Sequence, residues 1–230
     1  MSTVRIDDAT ATMIWLIGSL ADNKAALGRR YGEWSVSAPT IESAVAAAAM
    51  AQDELGHARS TYPVLAKLGA ERSDEPGLDA GHPMFVIAHE LPDWASFIAA
   101  NLVVDGVLTT FVASARDSSI EPLAQRARKI LQEEGAHKVH AEAWTRRMVR
   151  AGGPDLELLV RRVDEMWASA ARWPGPDDHS GYREAMDAGM VAWSPLAIRD
   201  RVRDWLGPQL DGLSLDEPAD WSDWDEVSRR

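Results

Sequence analysis

Two short segments of the chain share one pattern, Glu-x-x-His, and this repeat constrains the fold more than any other feature. The first pair is Glu54 with His57, and the second is Glu134 with His137. Residues three apart on an α-helix project from the same face, so each pair can present a carboxylate and an imidazole to one point. One such pair occurs by chance on many helices, whereas two pairs inside long helical segments favour a shared site. The alternative is two solvated helix faces.

The spacing of apolar residues predicts an all-α chain with four long helices followed by shorter ones. The predicted helices cover residues 8–34, 41–68, 94–115, 117–150, 155–173, 182–190 and 195–205. A short apolar turn is expected at residues 84–88, within an irregular stretch from 69 to 92. We predict one helical domain over residues 1–210. An acidic tail, 211–230, is either disordered or laid across the surface.

The first and third long helices also carry polar residues at inward positions. Asp105 lies on an otherwise apolar helix, where its burial without a partner would be costly. The corresponding position on the first helix is Lys24, which falls on or beside the inward stripe. Asp22 is near, but residues two apart on a helix differ by roughly 200°, so Asp22 faces away if Lys24 faces inward. Tyr31 lies two turns after Lys24 and can bond a ligand carboxylate or simply fill the core.

Composition limits what these residues can bind. Cysteine is absent, so protein ligands of a metal must be His, Asp or Glu, a set that suits iron, manganese or zinc. The net charge of −12 argues against nucleic acid or an anionic membrane as a partner. No apolar run reaches the length of a membrane-spanning helix and no signal peptide is visible, so a soluble cytoplasmic protein is the default expectation.

Two Glu-x-x-His pairs with one carboxylate on each of two further helices form the ligand pattern of four-helix carboxylate di-iron proteins. The segments Ala38-Pro39-Thr40 and 51–59 (AQDELGHAR) resemble the phenylacetic acid catabolic proteins. These are the catalytic and structural subunits of the bacterial phenylacetyl-CoA ring epoxidase. Asp22-Asn23 and Gly32-Glu33-Trp34 resemble the structural subunit in particular. The resemblance covers residues 10–150 and implies a ferritin-like four-helix bundle, here with additional C-terminal helices.

The resemblance to the catalytic subunits also implies a set of six ligand positions. In this sequence they are Lys24, Glu54, His57, Asp105, Glu134 and His137. Five have the chemistry of a ligand, and Lys24 does not. With neutral histidines, the carboxylates and a protonated lysine leave a net charge of −2, which one divalent ion would neutralise. Two such ions would leave a positive site unless the lysine lost its proton, as buried lysines can.

Three functional hypotheses follow. The leading one is an oxygenase, or oxygenase component, that holds one or two iron ions through the five ligands and oxidises an aromatic acyl-CoA-type substrate with O₂. A homologous oxygenase subunit and a reductase are its implied partners, in an oligomer. The main alternative is a metal-free structural subunit in which Lys24 pairs with Glu54, Asp105 or Glu134. Iron storage or peroxide detoxification is the third.

Several other residues have simpler interpretations. Asp53 and Glu133 are expected to be solvated neighbours, in i,i+4 contact with His57 and His137. Residues without a partner pattern are expected at the surface, namely His82, His89, His140, His179 and Glu142. The C-terminal third is rich in tryptophan, at Trp173, Trp193, Trp205, Trp221 and Trp224. Because tryptophan is frequent among interface anchors, this part is predicted to cover the bundle and to join an oligomeric interface, with core filling as the alternative.

Overall fold

The computed structural model describes residues 7–70, 83–227 and 229. Over these ranges the chain is helical and has no strand, as predicted. The helices are α1 (Asp8–Trp34), α2 (Ile41–Lys67), α3 (Phe85–Ala88), α4 (Trp94–Ala99), α5 (Gly106–Ser114), α6 (Glu121–Ala151), α7 (Gly153–Ala170), α8 (Ser180–Asp187) and α9 (Pro195–Leu206). A π-helical segment, Ala100–Asp105, joins α4 to α5, and a 3₁₀ turn, Gly207–Gln209, follows α9.

Four of these segments form a ferritin-like bundle, and the remaining helices pack outside it. Helix α1 pairs with α2, α2 with α6, and α6 with α5, while the π-helical segment contacts α1 and α6. Helix α7 packs on α4 and the π-helical segment, α8 on α1, and α9 on α5. Buried apolar residues recur every three or four positions along α1, from Met13 through Leu16, Ile17 and Leu20. This amphipathic spacing is the pattern from which the helix was predicted.

Most helix starts follow from capping chemistry. Thr40, Asp93 and Ser194 each accept a hydrogen bond from the backbone N–H three residues later, which satisfies one of the free donors of a helix N-terminus. The predicted start of α6 at residues 117–119 was wrong. The Ser118 hydroxyl instead accepts the N–H of Ile120 in a turn, and α6 begins at Glu121 with Pro122 in its first turn. Helix α7 differs in the other direction and begins at Gly153, two residues before its predicted start.

The third long helix is not a continuous α-helix, and the prediction of one from the sequence was wrong in this respect. Its central residues, Ala100–Asp105, form a π-helical segment, and all of them are buried. A π-helical turn holds one residue more than an α-helical turn and therefore rotates the side chains that follow. Hydrophobic spacing carries no signature of this local change. The segment ends at Asp105, so the rotation acts on the carboxylate that the third helix contributes to the bundle interior.

One helical stretch of the described chain, Trp94–Ser114, is long and apolar enough to cross a membrane by length and composition. The expectation that no apolar stretch reaches this length was therefore wrong. The most apolar window of the stretch is 83% buried by the other helices. A core helix of a globular bundle passes the same test, and this stretch lies at the centre of the bundle.

The C-terminal segment 211–227 is laid across the outer helices rather than separate from the bundle. The indole N–H of Trp167 donates to the backbone carbonyl of Asp216 at 2.8 Å. The Arg172 guanidinium donates to the carboxylate of Asp223 at 2.6 Å and lies 5.3 Å from the ring centroid of Trp221. The hydrogen bond from Trp167 and the charge-assisted and cation–π contacts of Arg172 together attach this acidic segment to the C-terminal end of α7 and the turn after it.

The C-terminal tryptophans pack within the chain. Trp173 is fully buried, and the half-buried ones are Trp193, Trp205, Trp221 and Trp224. They cover the bundle as predicted and also fill space in it. Their part in an oligomeric interface stays a prediction.

Several side chains expected at the surface are partly buried. The ring of His140 lies 6.0 Å from those of Trp94 and Phe97, and neither ring nitrogen has a hydrogen-bond partner among the described residues. Glu142 accepts a hydrogen bond from the indole N–H of Trp205 at 3.0 Å. His179 accepts the N–H that caps α8. His89 is exposed, and His82 lies outside the described residues. His140 and Glu142 contact groups distant in sequence, which short-range patterns do not reveal.

We predict that His140 makes the fold acid-sensitive. Burial, and then the neighbouring charge of His137, lower the pKa of His140 from 6.5 to about 4. The unfolded chain therefore binds a proton at this site that the folded chain does not, and stability should fall as the pH drops from 6.5 towards 4. His140→Phe removes this proton uptake. Urea unfolding across that pH range should show the free energy of unfolding of the variant rising relative to wild type. His89→Phe is the exposed control, and an equal response of both variants would contradict the prediction.

Candidate functional site

The residues singled out by the sequence pattern converge at the centre of the bundle. Helix α1 supplies Lys24, α2 supplies Glu54 and His57, the π-helical segment supplies Asp105, and α6 supplies Glu134 and His137. All six are buried, with exposed fractions between 0% and 5%. Helices α2 and α6 run antiparallel, since residue 43 contacts residue 144 and residue 57 contacts residue 133. The two Glu-x-x-His pairs therefore face each other.

The ammonium group of Lys24 lies among three carboxylates. Its Nζ is 3.1 Å from Oε1 of Glu54, 2.5 Å from Oδ1 of Asp105 and 2.5 Å from Oε1 of Glu134. An ammonium has three N–H donors, so one donor is available for each carboxylate. Burial alone would lower the pKa of Lys24, but the charges of Asp105, Glu134 and Glu54 outweigh it and raise that pKa well above its usual value. Lys24 is therefore charged.

His57 bridges the inner cluster and an outer carboxylate of the opposite helix. Its Nε2 lies 2.8 Å from Oε2 of Glu133, and its Nδ1 lies 3.3 Å from Oε1 of Glu134 and 3.7 Å from Oε2 of Glu54. Burial lowers its pKa, but the neighbouring carboxylates of Glu134 and Glu54 outweigh burial and raise the pKa to about 9. The expected i,i+4 contact between Asp53 and His57 is thus replaced by a contact between helices.

His137 makes the reciprocal contact. Its Nε2 lies 3.3 Å from Oδ2 of Asp53 on α2. Its Nδ1 is within 3.4 Å of carboxylate oxygens of Glu54, Asp105 and Glu134. Burial opposes the protonated form, but these acceptors raise the pKa of His137 far above its usual value. Asp53 and Glu133 therefore bond the two histidines across the helix pair and are more than the solvated neighbours expected from the sequence.

Tyr31 is fully buried, yet it does not bond a carboxylate of the cluster. The amide Nδ2 of Asn101 lies 3.3 Å from the Tyr31 hydroxyl and 3.5 Å from Oδ2 of Asp105, and so stands between them. Asn101 was not predicted from the sequence, although an amide one turn before Asp105 on an apolar helix was a usable signal. Asp22 faces away from the cluster, as expected, and accepts a hydrogen bond from the hydroxyl of Tyr62.

Comparison with known proteins accords with this arrangement. A family model described as phenylacetic acid catabolic protein matches residues 1–230. The chain belongs to that family. It is also 26% identical over 158 residues to one of the subunits of 1,2-phenylacetyl-CoA epoxidase from Escherichia coli (strain K12). That match covers 66% of this chain and 63% of the relative, so it spans somewhat less than two thirds of the relative's length.

Because its ligand pattern resembles that of di-iron proteins, the cluster of this family member is a candidate site for metal ions. Glu54, Asp105, Glu134 and His137 each offer a ligand atom, and these atoms lie within 4.8 Å of one another, so the cluster could hold a metal ion. However, one oxygen of each carboxylate is already bound to Nζ of Lys24. The neighbouring carboxylates raise the pKa values of both histidines and favour their protonated form, and a metal ion would have to displace those protons because its ligands must be unprotonated.

The six buried groups of this family member's cluster balance in charge, while the partly exposed carboxylates of Asp53 and Glu133 lie at its edge. The carboxylate charges of Glu54, Asp105 and Glu134 are matched by one ammonium and two imidazolium groups. The pKa of Glu134 is held well below its usual value, because Lys24 and the histidine hydrogen bonds outweigh burial. Burial and the two neighbouring carboxylates raise the pKa of Asp105 to about 6, which still leaves it ionised at neutral pH. The residues present fit a lysine-neutralised centre and do not fit two metal ions.

A cavity of about 180 Å³ adjoins the cluster on the side of α9. Its buried lining includes Asp105 and Glu134, and its exposed lining includes Lys138 and Arg201; Trp205 also lines it. The cavity therefore has room for a small molecule beside the carboxylates of Asp105 and Glu134.

We predict that Lys24→Met strongly destabilises the protein. The substitution keeps the length of the side chain but leaves buried carboxylates without their ammonium partner. Breaking a buried ion pair in this way costs about 3–5 kcal/mol of unfolding free energy. Urea unfolding at neutral pH measures the loss, with Lys67→Met at the exposed end of α2 as the control. A loss for Lys24→Met that is no larger than that of the control would contradict the proposed balance of charges.

Proposed function

We propose that this chain is a structural subunit of a multicomponent oxygenase of the phenylacetyl-CoA epoxidase type, in which Lys24 replaces the cation that a metal would supply. The observation that carries the proposal is the contact of one ammonium with three ligand-position carboxylates, all within 3.1 Å. It favours the second of the hypotheses raised by the sequence. The Escherichia coli relative, itself named as one subunit of such an epoxidase, supports a role as one part of an assembly.

The roles of the buried residues follow from this proposal. Lys24 holds four bundle segments together by joining α1 to the carboxylates of α2, the π-helical segment and α6. His57 and His137 place Nδ1 beside the same carboxylates and bind Glu133 and Asp53 through Nε2 outside them. Because Lys24 already binds one oxygen of each of the three carboxylates, these groups have little tendency to bind a further cation for chemistry. Oxygen transfer to an aromatic acyl-CoA-type substrate is accordingly assigned to a homologous subunit, with electrons from a reductase.

A second candidate function rests on a different observation. Glu54, Asp105, Glu134 and His137 could together hold one metal ion, and iron bound there, with His57 nearby, would supply O₂ chemistry to an oxygenase subunit. This function requires Lys24 to lose its proton or turn out of the cluster, and both histidines to lose protons. Metal content distinguishes the two candidates directly.

We expect the wild-type protein to contain almost no iron after anaerobic loading with Fe(II). Elemental analysis of protein purified from iron-replete cells, before and after loading, measures this. Iron near one or two ions per chain would reject the structural role and favour the oxygenase.

Lys24→Glu should convert the centre into one that depends on metal. In the absence of metal, a fourth buried carboxylate raises the pKa values of its neighbours, and stability should fall by about 3–5 kcal/mol. Fe(II) or Mn(II) should restore part of it, about 2.7 kcal/mol when free metal is about 100 times Kd. Thermal melts of wild type, Lys24→Glu and the exposed control Lys67→Glu, each with and without metal, test this. If metal raised the Tm of Lys24→Glu no more than that of wild type, Lys24 would not be at a metal position.

A further inference from the structure

Helices α2 and α6 present apolar side chains to solvent on the side opposite the Lys24 cluster. Ile41 and Val45 on α2 are 81% and 65% exposed, and Val139 on α6 is 61% exposed. The two helices are antiparallel neighbours, linked by the hydrogen bond from Trp144 to Ser43. These apolar residues therefore belong to one surface.

Most of the residues around them are small or uncharged; the exceptions are the exposed Glu42 beside Ile41 and the partly exposed Asp53 and Glu133 between the two helices. The exposed positions that complete the outward stripes of the two helices are Ala49, Gln52, Gly56, Gln132, Ala136 and Ala143. Gly56 lies inside α2, and Gly135 lies beside Ala136 inside α6. A Cβ atom at either glycine would meet no atom of the described residues within 4 Å. Glycine inside a helix costs about 1 kcal/mol relative to alanine, and packing among the described residues does not require it at either position.

Cations flank this uncharged strip. On α6 the exposed residues Arg128 and Lys129 precede it, and Arg146, Arg147 and Arg150 follow it. Helix α6 is described over its whole length, and its only exposed acid is Glu121, in the first turn. The chain as a whole carries a net charge of −12, so a cationic border here is a local reversal of sign. An apolar centre with a charged border is the usual anatomy of a protein–protein interface.

We propose that this α2–α6 face, defined by the uncharged strip and its cationic border, docks a second helical subunit whose contact surface is apolar at the centre and acidic at the border. The proposal rests on the proposed function and specifies where the homologous oxygenase subunit binds. The positive charge of the border favours a partner with an acidic border over a second copy of this chain. A symmetric contact between two copies of this chain would set the arginines of one copy against those of the other, and like charges across an interface are unfavourable.

The experiment measures binding of the purified full-length chain to the purified ferritin-like oxygenase subunit of the same organism by isothermal titration calorimetry. Val45→Asp/Val139→Asp alters the apolar strip, and Arg146→Glu/Arg150→Glu reverses two border charges. The control, Arg161→Glu/Arg183→Glu, makes the same charge change at exposed arginines on α7 and α8. All substituted residues are exposed, so each variant should stay folded; its Tm is measured beside that of wild type, because Arg146→Glu also removes the ion pair with Glu142.

We expect both face variants to raise Kd at least about tenfold, and the control to leave it within about twofold of wild type. The effect of the charge reversal should shrink at high salt, because ions screen exposed charges, while that of the strip variant should persist. No binding by wild type, equal Kd for the face variants and the control, or a wild-type homodimer in light scattering that the face variants dissociate would each overturn the proposal. Iron content tests the structural role separately, so the two proposals can fail independently.

Discussion

The mutual repulsion of three carboxylates in one buried site is the constraint on which the bundle depends. Glu54, Asp105 and Glu134 come from three different segments, and each would carry its charge into a medium of low dielectric constant. The ammonium of Lys24, brought by a fourth segment, offsets that repulsion with one donor for each acid. The ammonium of Lys24 is therefore required for the packing of α1, α2, the π-helical segment and α6.

The same arrangement specifies the register of the helices. Apolar packing alone specifies the register of two helices less strictly, because an apolar core of the right volume can be repacked in several ways. A cluster of ions does not, since a shift of one turn would leave a buried charge without its partner at a cost of several kcal/mol. The crossed contacts of His57 with Glu133 and His137 with Asp53 add a second constraint between α2 and α6. The polar centre therefore sets the alignment, and the surrounding apolar residues supply most of the burial.

Much of the fold was predictable from the sequence, because the interactions that form helices act between residues close together in the chain. Amphipathic spacing and capping residues such as Thr40 and Asp93 act over a few positions, so they located most helices closely. The π-helical segment was not predictable, because it differs from an α-helix by one residue in a turn and leaves the apolar character unchanged. The surroundings of His140 depend on residues distant in the chain, namely Trp94 and Phe97.

For the candidate site, side-chain spacing identified the residues that meet, because Glu-x-x-His pairs on two neighbouring helices project towards the same point in the bundle interior. It did not identify how they pair. Asp53 and Glu133 lie one position from the inner glutamates, about 100° around their helices, and whether such residues reach a neighbouring helix depends on packing geometry. Asn101, one turn before Asp105 on the same apolar helix, offered a local signal, but its contact with Tyr31 depends on how α1 packs against the π-helical segment.

The cation at the centre of this bundle is covalently part of the chain. A bound ion leaves when its concentration in the medium falls, but the local concentration of a tethered ammonium is set by the length of its side chain. Dilution, dialysis or a chelator cannot withdraw Lys24. The structural role proposed above therefore implies that the helices assemble equally well in iron-starved and iron-rich conditions.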